Sequence, residues 1–346
     1  MRRLTRLAAL LLALALVVAA CGDSDSDTTD AADDGTTAAP ETTAAPAAFS
    51  PSSPECIAPA DAGGGWDFTC RSIGGLFESL GATSNVVVTN QPGGGGGVAF
   101  ADVAANRSGE DDLVIAASPA TAIRFAQNQY TGLNADEFRW IGAIGADFGV
   151  IAVTTDSPYE TLDDLVAAMQ DDPSAITFGG GSPVGGQDHF KLLLFAEELG
   201  IDPAVVPWVA YDGGGEAQNA LLGGEIEVFP GDVSETIGND SLRILAVMGN
   251  DRIDGMDAPT TVELGYETIF PVWRGLLAPG GMSDEAYAFW VDAIGQVEAS
   301  PEWATARAEN GLSPLRLLGD DFQAFALDAV SSFRTLSEPF GLVAEG

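Results

Sequence analysis

The chain has 346 residues, with 51 acidic and 14 basic side chains and a formal net charge of −37. Hydrophobic residues make up 46% of it, enough for a buried core. So acidic a surface excludes charge-driven binding to nucleic acid or anionic lipid, since both need a basic patch.

Arg2, Arg3 and Arg6 open the chain, and an apolar run follows over 7–20. That run is too short for a bilayer span, which takes about 20 residues, and it has the pattern of a secretory signal peptide over 1–20. Val18, Ala19 and Ala20 precede Cys21 in a stretch that resembles a bacterial lipobox. The lipobox implies cleavage before Cys21, lipidation of its thiol, and an extracytoplasmic protein anchored to the cell membrane by acyl chains. An ordinary secretory signal with an incidental cysteine is the alternative. Residues 22–54 hold seven acids, no base and almost no large apolar side chain. They cannot bury enough surface to offset their ordering entropy, so 21–54 reads as a lipidated cysteine followed by a disordered acidic tether.

Two cysteines remain, Cys56 and Cys70. An exported protein sits where disulfides persist, so the pair suggests one bridge. A metal site is the competing reading, but it would need further Cys or His ligands. His189 is the only histidine and Lys191 the only lysine.

From Glu55 onward, strand and helix patterns alternate. Apolar, β-branched runs predict strands over 85–89, 113–117, 150–154, 175–178, 205–210, 226–229 and 243–248. A helix opens at Thr161 with acids in its first turn, a second runs from Gln187 to Leu199 with Gly200 as its C-cap, and a third opens at Ser283. This alternation predicts parallel sheets covered by helices. Glycine clusters stand at 63–65, 93–97, 179–181 with 185–186, and 213–215, the last three directly after predicted strands. Ligands of open α/β sheets bind beyond the carboxyl ends of strands, where glycine lets backbone N–H groups approach them. For one loop, a tight turn is the simpler reading; four at one topological position point to binding.

Several reaction classes have no motif here. No phosphate loop surrounds Lys191, no Gly-x-Ser-x-Gly elbow exists, and a Ser-His-Asp triad could use only His189. Gly94-x-Gly96-x-x-Ala99 fits a dinucleotide pattern, but Pro92 and a five-glycine run argue for a turn.

Residues 55–340 resemble, in order, the tripartite tricarboxylate transporter receptors, the Bug-type extracytoplasmic solute receptors. The resemblance is carried by Gly63-Gly-Gly-Trp-Asp67 between Cys56 and Cys70, Asn90-Gln-Pro-Gly-Gly-Gly-Gly-Gly97 and Ala117-Ser-Pro-Ala-Thr121. It continues through Asp156-Ser-Pro158, Phe178-Gly-Gly-Gly-Ser182, Tyr211-Asp-Gly-Gly-Gly-Glu216, Pro259-Thr-Thr261 and Trp273-Arg-Gly275. It implies a type II periplasmic-binding-protein fold: two α/β domains, 55–148 plus 251–346 and 149–250, with a ligand cleft between them and two crossovers. It implies a citrate-like di- or tricarboxylate ligand, a permease partner with one large and one small subunit, no cofactor, no metal and no catalysis. A monomer is expected. An exported enzyme that binds a nucleotide or carboxylate is the alternative.

In such a receptor the ligand would meet Gly64, Gly65, Trp66, Asp67, Gly94, Gly95 and Gly96 from one domain's loops, with hydroxyls from Ser118 and Thr121. Ser182, Tyr211 and Asp232 would face it from the other domain. Ser182 and Asp232 could equally cap helices, and Trp66 and Tyr211 could be packing residues. Arg71, Arg274 and Lys191 are the natural counter-charges, Arg71 first among them because it follows the first glycine loop, although a salt bridge to one of the many acids is the simpler reading. The body from Glu55 carries 44 acids and 11 bases, a net charge of −33. Long-range repulsion of an anion then requires short-range N–H groups and helix ends to hold it.

Overall fold

The computed structural model describes residues 49–345. The predicted signal peptide over 1–20, the lipidation of Cys21 and all but the last few residues of the tether lie outside the described residues. In chain order the strands are β1 (Glu55–Ala58), β2 (Val87–Asn90), β3 (Leu113–Ala117), β4 (Arg139–Thr154), β5 (Phe178–Gly180), β6 (Trp208–Ala210), β7 (Leu242–Met248), β8 (Pro271–Ala278) and β9 (Leu317–Leu318). The α-helices are α1 (Gly65–Ser79), α2 (Gly97–Asn106), α3 (Pro119–Ala126), α4 (Leu162–Asp171), α5 (Gln187–Glu198), α6 (Gly214–Gly223), α7 (Val233–Thr236), α8 (Asp284–Ala299), α9 (Pro301–Glu309) and α10 (Gly319–Ser337).

Side chains along a strand alternate between faces, and both faces of the main sheet are buried. Cys56 and Ala58 of β1 and Val114 and Ala116 of β3 enter a core with Phe77 of α1, Trp290 of α8 and Trp303 of α9. Ile57, Leu113, Ile115 and Ala117 enter the opposite core, with Phe100 of α2, Phe125 of α3 and Phe322 of α10. The bridge between Cys56 and Cys70 forms, with Cα atoms 5.6 Å apart, and ties β1 to α1.

The sheet order is β2-β1-β3-β8-β4-β7, with β9 beside β4. β1 pairs parallel with β2 and β3, but β8 runs antiparallel to both β3 and β4, and β7 is antiparallel to β4. The sheet is therefore mixed, not parallel as the alternating pattern predicts. The cause is the late return of the chain: β8 inserts between β3 and β4 from the far end of the sequence.

β4 changes partner along its length. Its first part, Arg139 to Phe148, pairs with β8, and its second part, Gly149 to Thr154, pairs with β7. Beyond that change of partner lies a second lobe. There β5 and β6 pair parallel, and single bridges (Phe178 to Val228, Ala152 to Phe229) join them to β4. Residues 226–229, predicted as a strand, contribute only these bridges. Ile151 and Val153 point into one core with Phe178, Phe190 and Phe195, while Val150 and Ala152 point into another with Leu221 and Phe229.

Local signals set the helix ends. The Thr161 hydroxyl accepts the Asp164 N–H at 3.2 Å, and the Asp164 carboxylate accepts the Thr161 N–H at 2.9 Å, which caps α4. After α5, Gly200 takes φ +73° and donates to the Glu197 carbonyl, as a C-terminal glycine does. No described helix is long and apolar enough to cross a membrane.

Candidate functional site: a cleft between glycine loops

The four glycine loops converge. A Cβ added at Gly64 would lie 3.2 Å from the Gly214 nitrogen, and one at Gly95 would lie 3.0 Å from Pro183 Cγ. A Cβ at Gly181 would overlap the Gly213–Gly214 backbone, so only glycine permits that approach. Asp61 N–H donates across to the Asp212 carbonyl at 3.3 Å. The loops leave about 50 Å³ of free space, room for about three or four waters.

Of the residues predicted from sequence, Gly64, Gly65, Trp66, Gly95, Ser118, Ser182, Tyr211 and Asp232 line this cleft. Asp67, Gly94, Gly96 and Thr121 do not. Asp67 faces away, accepting from Gly63 N–H and Asn90 and pairing with Arg71 at 2.9 Å. Gly94 begins the turn before α2 without reaching the cleft. Gly96 is covered by Tyr130, Pro59 and Trp66. Thr121 is fully buried, its hydroxyl accepting from Ser118 N–H.

The lining hydroxyls also serve the helix starts. Ser118 Oγ accepts from Ala120 N–H at 3.1 Å and donates to Gln187 Oε1 at 3.2 Å. Ser182 Oγ accepts from Asp188 N–H at 3.0 Å. Gln187 links the lobes, because its Oε1 also accepts from Ala120 N–H at 3.0 Å while its Nε2 donates to the Asp232 carboxylate at 3.3 Å.

The cleft floor is a buried ionic network. Lys191, fully buried, donates to Asp188 at 2.8 Å, Asp232 at 2.6 Å and the carbonyls of Pro230 and Gly231. Arg274 donates through Nη2 to Asp147, to Asp232 at 2.8 Å and to Ser234. Burial alone would raise the Asp232 carboxyl, but Lys191 and Arg274 outweigh it and hold it below the usual range. Burial pushes Asp147 and Asp188 up. Glu235 accepts from Gly65 N–H at 2.9 Å and Asp232 N–H at 3.2 Å; burial, with Asp232 and Asp188 nearby, pushes its carboxyl up to about 8. Lys191 and Arg274, natural counter-charges for a ligand, are thus committed to the protein's own acids.

Arg124 of α3 is different. It is 7% exposed and lines the cleft, yet no carboxylate lies within ion-pair distance of it among the described residues. Its guanidinium makes only long hydrogen bonds, to Gln127 and Gln129 at 3.3 Å and to the Val184 carbonyl at 3.5 Å, and its Nε is buried without a partner. Burial lowers its pKa, but a guanidinium remains a cation. Trp66 Nε1 and Arg274 Nε, also on lining residues, are buried donors without partners among the described residues. An electron-rich, oxygen-bearing guest would satisfy this arrangement.

Sequence reasoning missed Arg124, Gln187 and Glu235. One signal for Arg124 was present: residues 113–135 contain no acid at all, in a chain with 51. His189 does not line the cleft; its ring lies 4.8 Å from Trp208, and its Nδ1 accepts from Gly185 N–H at 2.9 Å.

Known proteins resemble the chain along most of its length. A family model described as "Tripartite tricarboxylate transporter family receptor" matches residues 72–342. A relative from Cupriavidus necator, "UPF0065 protein in gbd 5'region", is 26% identical over 292 residues, covering 81% of this chain and 85% of the relative. The structure of the periplasmic binding protein BugD superposes with a TM-score of 0.75 at 21% identity, over 85% of this chain and all of that one. MatC from Rhodopseudomonas palustris, with bound malate, superposes with a TM-score of 0.71 at 18% identity, over 84% and 99% of the two chains. An R. palustris protein with adipate gives 0.74 at 20%, over 84% and 97%. At these identities the structures establish the fold: a type II periplasmic-binding-protein fold of two α/β lobes around a cleft.

Proposed function

The chain belongs to the tripartite tricarboxylate transporter receptor family, and we propose that it captures a small organic carboxylate in the cleft and delivers it to a membrane permease with one large and one small subunit. The observation that carries this reading is Arg124: a buried, cleft-lining cation without an acidic partner among the described residues, in a body of net charge −33. A guanidinium binds a carboxylate through two parallel N–H donors, and each charge-assisted bond contributes roughly 1.5–3 kcal/mol. The ligands of the structural neighbours, malate and adipate, are of the same chemical class.

In this proposal the lobes are 55–148 plus 251–346 and 149–250, hinged where β4 changes partner, and they close over the acid. Gly95, Ser118 and Arg124 receive it from one side, Ser182 and Tyr211 from the other. The receptor is held at the outer face of the membrane by a lipidated Cys21, acts as a monomer, and carries out no catalysis. The dinucleotide reading is disfavoured, because Tyr130 and Trp66 cover Gly96 at the helix start where a pyrophosphate would have to sit.

A thermal-shift screen tests the reading. At least one small organic acid is expected to raise the melting temperature by several degrees at millimolar concentration, and its uncharged amide is expected to do nothing. No stabilisation by any acid, or equal stabilisation by the amide, would overturn it.

A further inference from the structure

The cleft has two places built for an anion, and the protein fills one of them itself. The first is the Arg124 end, beside Gly95 and Ser118. The second is the meeting point of the N-termini of α1 and α6, at Gly65 and Gly214, where helix N–H groups favour negative charge. There the Glu235 carboxyl already sits. It accepts from Gly65 N–H at 2.9 Å, and a Cβ at Gly214 would overlap it.

We infer that Glu235 makes the cleft selective for an acid with a single carboxylate, bound at Arg124, whose far end carries a hydrogen-bond donor, hydroxyl or ammonium, and that it excludes dicarboxylates. This rests on the receptor reading above. Two independent observations carry it: the 93% buried Arg124, unpaired among the described residues, at one end, and the surplus of acids at the other. At the far end Asp147, Asp188 and Asp232 share only Lys191 and Arg274. Glu235 is a fourth carboxyl at this end; burial first, and then Asp232 and Asp188, push it up to about 8, and a further negative charge placed beside it meets the same desolvation and the same acids. A hydroxyl can accept the bond that the protonated Glu235 offers, and an ammonium draws the proton off; each Glu235 oxygen, which accepts one backbone N–H, is then free to accept from the ammonium.

Arg124 and Glu235 line one cavity. Calorimetry on the full-length receptor with matched series of three to six carbons tests the inference: α,ω-dicarboxylates, ω-hydroxy monocarboxylates and ω-amino monocarboxylates. The expected result is that a hydroxy or amino acid binds at least tenfold tighter than the dicarboxylate of equal length. In Glu235→Gln that ratio should fall at least tenfold. The wild-type ratio alone decides the matter if the variant does not fold. Amino-acid binding that releases protons near pH 7, read from buffers of different ionisation enthalpy, would identify the ammonium rather than the hydroxyl as the donor, by ionising Glu235 among Asp188, Asp232, Lys191 and Arg274. A dicarboxylate that binds as tightly as its partners, or an unchanged ratio in a folded Glu235→Gln, would overturn the inference and leave the receptor reading standing. Absence of binding by every acid would overturn both.

Discussion

At the scale of single residues, two buried bases have opposite surroundings and opposite consequences. Arg124 keeps its charge and has no acidic partner among the described residues, which suits it to bind an anion. His189 loses its charge: burial against Trp208 pulls its pKa down to about 4, and its Nδ1 accepts from Gly185 N–H, which fixes a neutral ring. The unfolded chain takes up a proton near pH 6.5 that the native protein refuses. His189 therefore contributes stability that is present above pH 6.5 and is lost as pH falls toward about 4. Glu235 acts in the opposite sense, since its raised carboxyl costs stability as pH rises from about 4.5 to about 8. The comparison must be made between variants at matched pH. Denaturant unfolding at pH 7 and pH 5 should show a smaller loss on acidification in His189→Gln than in wild type. Equal losses would remove His189 from the account.

At the scale of elements, the close approaches between loops decide what can change. A Cβ at Gly65, the first residue of α1, would overlap the Arg274 guanidinium. Arg274 cannot swing aside without leaving Asp147 buried with no cationic partner among the described residues and taking from Asp232 one of its two. Gly65→Ala should therefore lower unfolding stability by about 2 kcal/mol or more, measured by denaturant titration; an unchanged midpoint would mean that the network has slack. Much of this level was legible in the sequence. β3 and β7 follow apolar, β-branched runs, α4 follows its capping box, and the end of α5 follows Gly200. The glycine loops announced the cleft because they stand directly after strands. The first half of β4 escaped notice because Gly142 and Gly145 interrupt its apolar run, and β1 because it is short and lies between prolines. The sheet's mixed direction was invisible, since nothing local tells β8 to enter beside β3. Among site residues, the glycines were readable by type, whereas Arg124, Gln187 and Glu235 gain their meaning only from which acids and amides lie near them in space. Arg71 shows the converse: adjacent to the loop in sequence, it turns to Asp67.

At the scale of the whole molecule, charge and closure pull against each other. A body of net charge −33 repels an anion at a distance, and salt screens that repulsion beyond about 8–10 Å. Attraction must then come from groups that act at contact, in a cleft closed enough to exclude most water. In the proposed receptor, the change of partner along β4 is where the lobes would close, and the bond from Ala120 N–H to Gln187 would hold them together. Affinity should accordingly hold or rise with ionic strength, unlike that of a site that relies on a surface field. Calorimetric titration of the tightest-binding acid into wild type and Arg124→Gln, at low and high salt, tests the central claim most directly. The account predicts a wild-type affinity that holds or improves with salt and a loss of at least tenfold in the variant at an unchanged melting temperature. Equal affinity in the two proteins, or a steep loss of wild-type affinity with salt, would contradict it.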